Sequence, residues 1–258
     1  MSLIHPTALI APDAVIDASV AIGAYCVVGA GVEIGARTRI GPHVVVHGPT
    51  RLGRDNQVFQ FASIGDAPQD KKYAGEPTRL EVGDRNIFRE SVTINRGTTH
   101  DRGITRIGDD NLFMAYSHVA HDCTVGSKCV LANCATLGGH VELDDWVIMG
   151  GFAAVHQFCK VGAHAFLANN AAVTRDVPPY VMAVGQPARA HSVNSEGLKR
   201  RGFTPQQIRN IREAYRVMFR SGIRLAEAVE RLSALTESQP ELAPFVEFIA
   251  RSKRGIAR

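Results

Sequence analysis

Apolar residues recur along the first two thirds of this chain at a fixed spacing of six. They fall at Ile4, Ile10, Ile16, Ile22, Val28, Ile34, Ile40, Val46, Leu52, Val58 and Ile64, eleven positions without a miss. A second run comprises Ile107, Phe113, Val119, Val125, Leu131, Leu137, Leu143, Met149, Val155, Val161, Leu167 and Val173; with Val82, Phe88 and Ile94 between the runs, the total is 26 hexads. Two residues before the apolar position stands a small or β-branched one, as at Val20, Cys26, Val32, Cys129, Ala135 and Ala153, so both positions point inward. A period of six fits neither a 3.6-residue helix nor the alternation of a hairpin strand. It predicts a parallel β-helix in which each flat face takes one hexad and three faces close a coil of about 18 residues. With coils stacked at ~4.8 Å, eight or nine of them make a prism roughly 40 Å long. Glycine often follows the apolar residue, as in "IGA", "VGA", "IGP" and "VGS". There it is expected to permit the sharp corner between faces.

Two segments interrupt the hexads, 65–81 ("GDAPQDKKYAGEPTRLE") and 95–106. Insertions leaving a rigid repeat are where binding residues concentrate. Beyond Val173 a proline-rich exit, "RDVPPYVMAVGQPA", ends the period and a helical pattern takes over. Thr204, Pro205 and Gln207 read as N-cap, first-turn proline and capping-box partner. Ile208, Ile211, Tyr215 and Met218 follow at helical spacing, then Leu225, Val229, Leu232 and Leu235, and finally Leu242, Phe245, Phe248 and Ile249. The expected organisation is a parallel β-helix domain over 1–190 and a helical domain over 191–258.

The composition, 45% hydrophobic and 21% charged, is that of a soluble globular protein. The N-terminus has no signal-peptide pattern and no stretch approaches the length of a membrane span, so a cytoplasmic protein without stable membrane insertion is expected. Five cysteines, Cys26, Cys123, Cys129, Cys134 and Cys159, form no CxxC pair. Their odd number argues against a disulfide framework, and small buried side chains are expected instead. The net charge of +4 gathers in "GLKRRGF" and the terminal "RSKRGIAR". An acidic protein or a phosphorylated ligand, rather than nucleic acid, fits that tail.

Candidate chemistry centres on "HVAHDC". With an 18-residue coil, His121, His140 and His156 gather along one edge over a span of ~10 Å. Asn95 joins them from below once the second insertion is subtracted, and His118 lies on the strand entering the corner. Three chemistries suit such a cluster. A zinc site needs three ligands converging at about 2.1 Å. The zinc carbonic anhydrases built on a β-helix place two histidines five apart, and no such pair occurs here. Idle corner stacking is the second possibility, and a general base acting on a substrate hydroxyl is the third.

The segments "QDKKYAGEPTR", "RESVTINRGT", "HVAHDCTVG", "GGHVELDD", "AVHQFC", "RDVPPYV" and "NSEGLKRRGF" resemble the hexapeptide-repeat family of acyl-carrier-protein-dependent UDP-N-acetylglucosamine O-acyltransferases, which open lipid A synthesis. The resemblance covers essentially the whole chain. It implies a left-handed β-helix, a homotrimer with sites between subunits, and transfer of an (R)-3-hydroxyacyl group from acyl carrier protein to the glucosamine 3-hydroxyl of UDP-N-acetylglucosamine. No metal and no cofactor beyond the carrier's phosphopantetheine is implied. His121 would be the general base, Asp122 would orient its imidazole although neighbouring strand residues diverge, and the Gly139 N–H would stabilise the oxyanion. His118, His140, His156 and Gln157 would hold substrate, with Asp70 and Lys72 reaching toward a neighbouring subunit. Asn194, Glu196, Arg200 and Arg201 would contact the nucleotide. Asn95 stands where the family commonly has histidine. Asn169 stands where members taking long chains have glycine, which implies a shorter acyl group. A sibling sugar-nucleotide N-acyltransferase carries an additional N-terminal domain; hexads beginning at Ile4 favour the O-acyltransferase.

Overall fold

The computed structural model describes residues 3–258. Hexads become strands of two to four residues on three faces. Face I runs from Leu9–Ile10 to Ala172–Val173 in nine strands, and face II from Val15–Ile16 to Lys160–Val161 in eight. Face III begins at Ala21–Ile22 and ends in a hairpin, giving ten strands. Pairing between coils is parallel, and the register Leu9↔Val27 is one 18-residue coil. The column is a left-handed parallel β-helix.

The repeating apolar residues fill the bore, with Phe88 and Phe113 stacked at 4.9 Å and both fully buried. Polar residues also enter it. Asn56, Asn86 and Asn111 form a buried ladder in which each side-chain oxygen accepts the backbone N–H of the coil above, as from Asn86 to Asn56 at 2.9 Å. Cys26, Cys123, Cys129 and Cys159 are buried, whereas Cys134 is only half-buried, because it occupies a corner outside the bore.

The corners differ from expectation. Left-handed backbone falls three residues after the apolar position, on residues such as Tyr25, His43, Asp122 and His140, with φ between 57° and 63°. Each such corner costs about 1 kcal/mol in a non-glycine residue. It is held by its N–H donating to the coil below, as from His140 to the His121 carbonyl at 3.0 Å. The glycine after the apolar residue serves close coil-to-coil approach instead: a Cβ on Gly23 would lie 2.7 Å from the Pro42 nitrogen.

The interruptions are narrower than the hexad pattern suggested. Four-residue strands Ser63–Asp66, Arg79–Val82 and Ile104–Ile107, with Thr93–Asn95, carry the ladder into them. The excursions are therefore 67–78 and 96–103, both leaving the edge between faces I and II. Arg96 ties one to the other, donating to the Gly65 carbonyl and the Tyr73 hydroxyl at 2.9 Å each.

After the column, strands Val181–Gly185 and Ala188–Val193 form an antiparallel hairpin that hexad counting does not reveal. Helices follow: α1 (Ser195–Arg200), α2 (Pro205–Phe219), α3 (Leu225–Ser233) and α4 (Ala243–Arg251). The α2 capping box forms as the sequence predicts, with Thr204 and Gln207 satisfying each other's backbone N–H groups, a contribution of about 1 kcal/mol. Ile211, Tyr215, Met218, Leu232, Phe245 and Phe248 are buried among the helices and against the hairpin.

Candidate active site

The edge between faces I and II gathers the titratable groups. His121 sits just after strand His118–Val119, and Asp122 beside it takes φ 59°. That turn brings together two side chains that an uninterrupted strand would separate. His121 Nδ1 lies 2.8 Å from Asp122 Oδ2. The Asp122 side chain is fully buried, 0% exposed. The Thr98 hydroxyl donates to it at 2.7 Å and the Thr98 N–H approaches both oxygens at 3.0 Å. Burial disfavours the carboxylate, but the hydrogen bonds from His121 and Thr98 outweigh it and hold the carboxyl below its ordinary range. A carboxylate only accepts, so the proton of neutral His121 is on Nδ1 and the Nε2 lone pair is free.

Gly139 packs on the same ring. A Cβ there would lie 2.6 Å from His121 Cε1 and 2.8 Å from Nε2. The Gly139 N–H donates to no group among the described residues. His118 bonds Thr93 Oγ1 through Nδ1 at 2.7 Å. Burial, with His121 nearby, pushes its pKa below that of a free imidazole. His140 is one coil above His121, edge-on to it with ring centroids 5.0 Å apart and stacked on Phe158 at 4.3 Å. This site can therefore take a proton at Nε2 and offer an N–H to a developing anion beside it.

Ligand atoms of His121, Asp122 and His140 all lie within 4.8 Å of one another. The 2.8 Å separation of Nδ1 and Oδ2 is that of a hydrogen bond. Two ligands held tetrahedrally at metal distances are more than about 3 Å apart. Asp122 Oδ2 also accepts the Thr98 hydroxyl. The donor set fits a proton-sharing network rather than a metal centre.

Segments 13–48 and 104–139 match the six-repeat bacterial transferase hexapeptide profile, and 176–257 match the profile described as UDP N-acetylglucosamine O-acyltransferase, domain 2. An acyl-[acyl-carrier-protein]–UDP-N-acetylglucosamine O-acyltransferase of Janthinobacterium sp. (strain Marseille) is 58% identical, with all of both chains covered. The protein of the same name from Herminiimonas arsenicoxydans is 56% identical over the same full extent. The chain belongs to the UDP-N-acetylglucosamine O-acyltransferase family. The crystal structure of the UDP-N-acetylglucosamine O-acyltransferase from Moraxella catarrhalis superposes with a TM-score of 0.97 at 46% identity, covering 99% of this chain and 100% of the other.

The residues singled out from the sequence fall on three different edges. Asp70, Lys72, Asn95, His121, Asp122, Gly139, His140, His156 and Gln157 share the I–II edge, which His118 approaches from face I. His156 and Gln157 are exposed there, and His156 Nδ1 lies 3.0 Å from the Gln157 carbonyl. Asp70 accepts the Lys72 N–H at 3.0 Å, shaping a turn that leaves the Lys72 ammonium exposed. Asn95 is buried, and its amide donates to the Ala67 carbonyl at 2.9 Å, anchoring the first excursion.

Asn169 lies instead on the III–I edge, where its side-chain oxygen accepts the Gly151 N–H at 3.0 Å. The tail residues meet the II–III edge. Asn194 caps α1 through Gly197 and donates to the His164 carbonyl, so both ends of its amide are engaged within the chain. Arg201 lies over Trp146 at 5.0 Å and its Nη1 is 3.1 Å from His164 Nδ1. Glu196 and Arg200 are exposed on α1. Sequence reasoning missed Thr98, Asp101 and Arg102, which reach the site from an excursion with no repeat to index them. Their one signal was membership of the second interruption.

Proposed function

We propose that this chain transfers an (R)-3-hydroxyacyl group from acyl carrier protein to the glucosamine 3-hydroxyl of UDP-N-acetylglucosamine, the first step of lipid A synthesis. The observation carrying this reading is the His121–Asp122 pair at 2.8 Å, with the unused Gly139 N–H against the same imidazole. Asp122 holds the Nδ1 proton, so Nε2 is the base. It removes the 3-hydroxyl proton as that oxygen attacks the thioester carbonyl and the new C–O bond forms. The Gly139 N–H meets the negative charge on the tetrahedral oxygen. On collapse the C–S bond breaks, and the His121 imidazolium returns its proton to the departing thiolate. A thiol leaves readily, so one base and one oxyanion donor suffice, without metal or cofactor beyond the carrier's pantetheine.

The distribution of the remaining residues supports an assembly. Asn169 and the tail arginines lie on edges other than that of His121, so one site can use them only if a second copy lies alongside. A homotrimer with sites between subunits satisfies this. Within it, His118, His140, His156 and Gln157 hold the sugar while buried Asn95 anchors the excursion beside them, Asp70 and Lys72 reach across the interface, and Glu196, Arg200 and Arg201 serve the nucleotide from the helix that Asn194 caps, with guanidinium suited to diphosphate. The acidic carrier protein meets the basic tail. No helix among the described residues is long and apolar enough to cross a membrane, and the carrier-bound donor suits a cytoplasmic enzyme.

The test is direct. Incubation with UDP-N-acetylglucosamine and a ladder of 3-hydroxyacyl carrier proteins is expected to give the 3-O-acyl product at the same rate with and without chelator. Absence of product with every donor contradicts the reading, and turnover lost on chelation contradicts the metal-free mechanism.

A further inference from the structure

His140 is fixed on both sides. Phe158 stacks on its face and His121 meets it edge-on, so the plane of the ring is set by packing. Which nitrogen carries the proton is set elsewhere. His140 Nδ1 lies 2.9 Å from Asp101 Oδ2, a residue of the 96–103 excursion and not of the repeat. The carboxylate can only accept, so neutral His140 carries its proton on Nδ1 and presents a lone pair at Nε2. That Nε2 is 3.9 Å from Asp122 Oδ2, too far for a hydrogen bond, and remains available beside the base.

The excursion is held where Asp101 can do this. Thr98 bonds the buried Asp122 carboxylate through N–H and hydroxyl, and the Arg102 guanidinium reaches the Asp122 carbonyl at 3.5 Å. Resting on the function proposed above, we propose that Asp101 is a positioning residue. By accepting the Nδ1 proton it holds His140 as the tautomer whose Nε2 accepts a hydrogen bond from a hydroxyl or amide N–H of the amino sugar. Asp101 thus acts on sugar recognition through His140 and does not touch the reacting atoms.

The experiment is a mutant cycle with a spectroscopic arm. Asp101→Ala is expected to raise KM for the sugar nucleotide about tenfold while kcat changes less than about threefold, the loss of one charge-assisted hydrogen bond. Asp101→Glu should recover most of it. In a His140→Ala background, Asp101→Ala should add less than about a twofold change. Nitrogen-15 spectra of the imidazoles should show Nδ1–H at His140 in the unsubstituted protein and predominantly Nε2–H in Asp101→Ala. An equal Asp101→Ala penalty with and without His140, a loss in kcat alone, or an unchanged tautomer overturns the proposal. Inactivity of the unsubstituted protein toward every hydroxyacyl carrier overturns the functional reading instead, and the tautomer measurement still decides the role of Asp101.

Discussion

Two edges of the column carry a histidine in the same backbone slot and put it to different use. His140 on the I–II edge and His164 on the II–III edge both occupy left-handed corners, with φ of 63° and 61°. His164 stacks between Trp146 and Tyr180, whereas His140 stacks on Phe158 and meets His121 edge-on. Around His140 lie two carboxylates, Asp101 of the 96–103 excursion at 2.9 Å and Asp122 of the corner below at 3.9 Å. Around His164 the tail supplies a cation, and burial followed by the Arg201 charge pushes its pKa down to about 4. The repeat offers the same corner on every coil; what leaves the column or folds back onto it decides whether that corner handles protons. A carboxylate at 2.9 Å fixes which nitrogen of the ring carries its proton at one edge, and burial beside a guanidinium makes a neutral packing ring at the other.

Breaking the carboxylate edge should have the largest effect. His121→Ala is expected to lower turnover by about 10³-fold, the usual contribution of a positioned base, with the melting temperature within a few degrees of the unsubstituted protein. Steady-state kinetics beside calorimetry checks this, and retained turnover would falsify the assignment of the base. Gly139→Ala sharpens the same point, because its Cβ would stand 2.6 Å from the His121 ring. Displacing the imidazole and crowding the oxyanion donor should reduce kcat by about 10²-fold with a small change in KM.

The third edge offers a smaller, selective effect. Asn169→Gly should shift preference toward longer 3-hydroxyacyl donors by about tenfold in relative kcat/KM, the low end of what one added methylene is worth in an apolar pocket. Competition between two carrier-bound chain lengths reads this directly, and unchanged selectivity rejects Asn169 as a residue that limits the acyl length.

At the cation edge the smallest effect is on the pH dependence of stability. A histidine whose pKa is lowered on folding binds its proton more readily in the unfolded chain, so His164 favours folding above pH 6.5 and that contribution is lost as pH falls toward about 4. His118, lowered chiefly by burial, adds in the same direction. His164→Phe keeps the stacking with Trp146 and Tyr180 and removes the titration. Its melting temperature should fall less between pH 6.5 and pH 4.5 than that of the unsubstituted protein; an identical decline would mean that other groups govern the slope.

The sequence by itself determined the column. The six-residue period needs only side chains that alternate between bore and solvent, and coil addition converts it into vertical neighbours, so Ile4 to Val173 index their faces and His121, His140 and His156 share an edge. Thr204, Pro205 and Gln207 likewise announced the start of α2, because capping is local. Tertiary structure alone decided what the period does not index. The left-handed corner at Asp122 turned adjacent residues toward one another, and the 96–103 excursion delivered Thr98 and Asp101 across 24 and 39 residues of chain to Asp122 and His140. It also set Arg201, beyond the repeat, on an edge away from His121. A repeat fixes the positions of the residues inside it, whereas a side chain on an excursion is placed by hydrogen bonds that form only once the column exists.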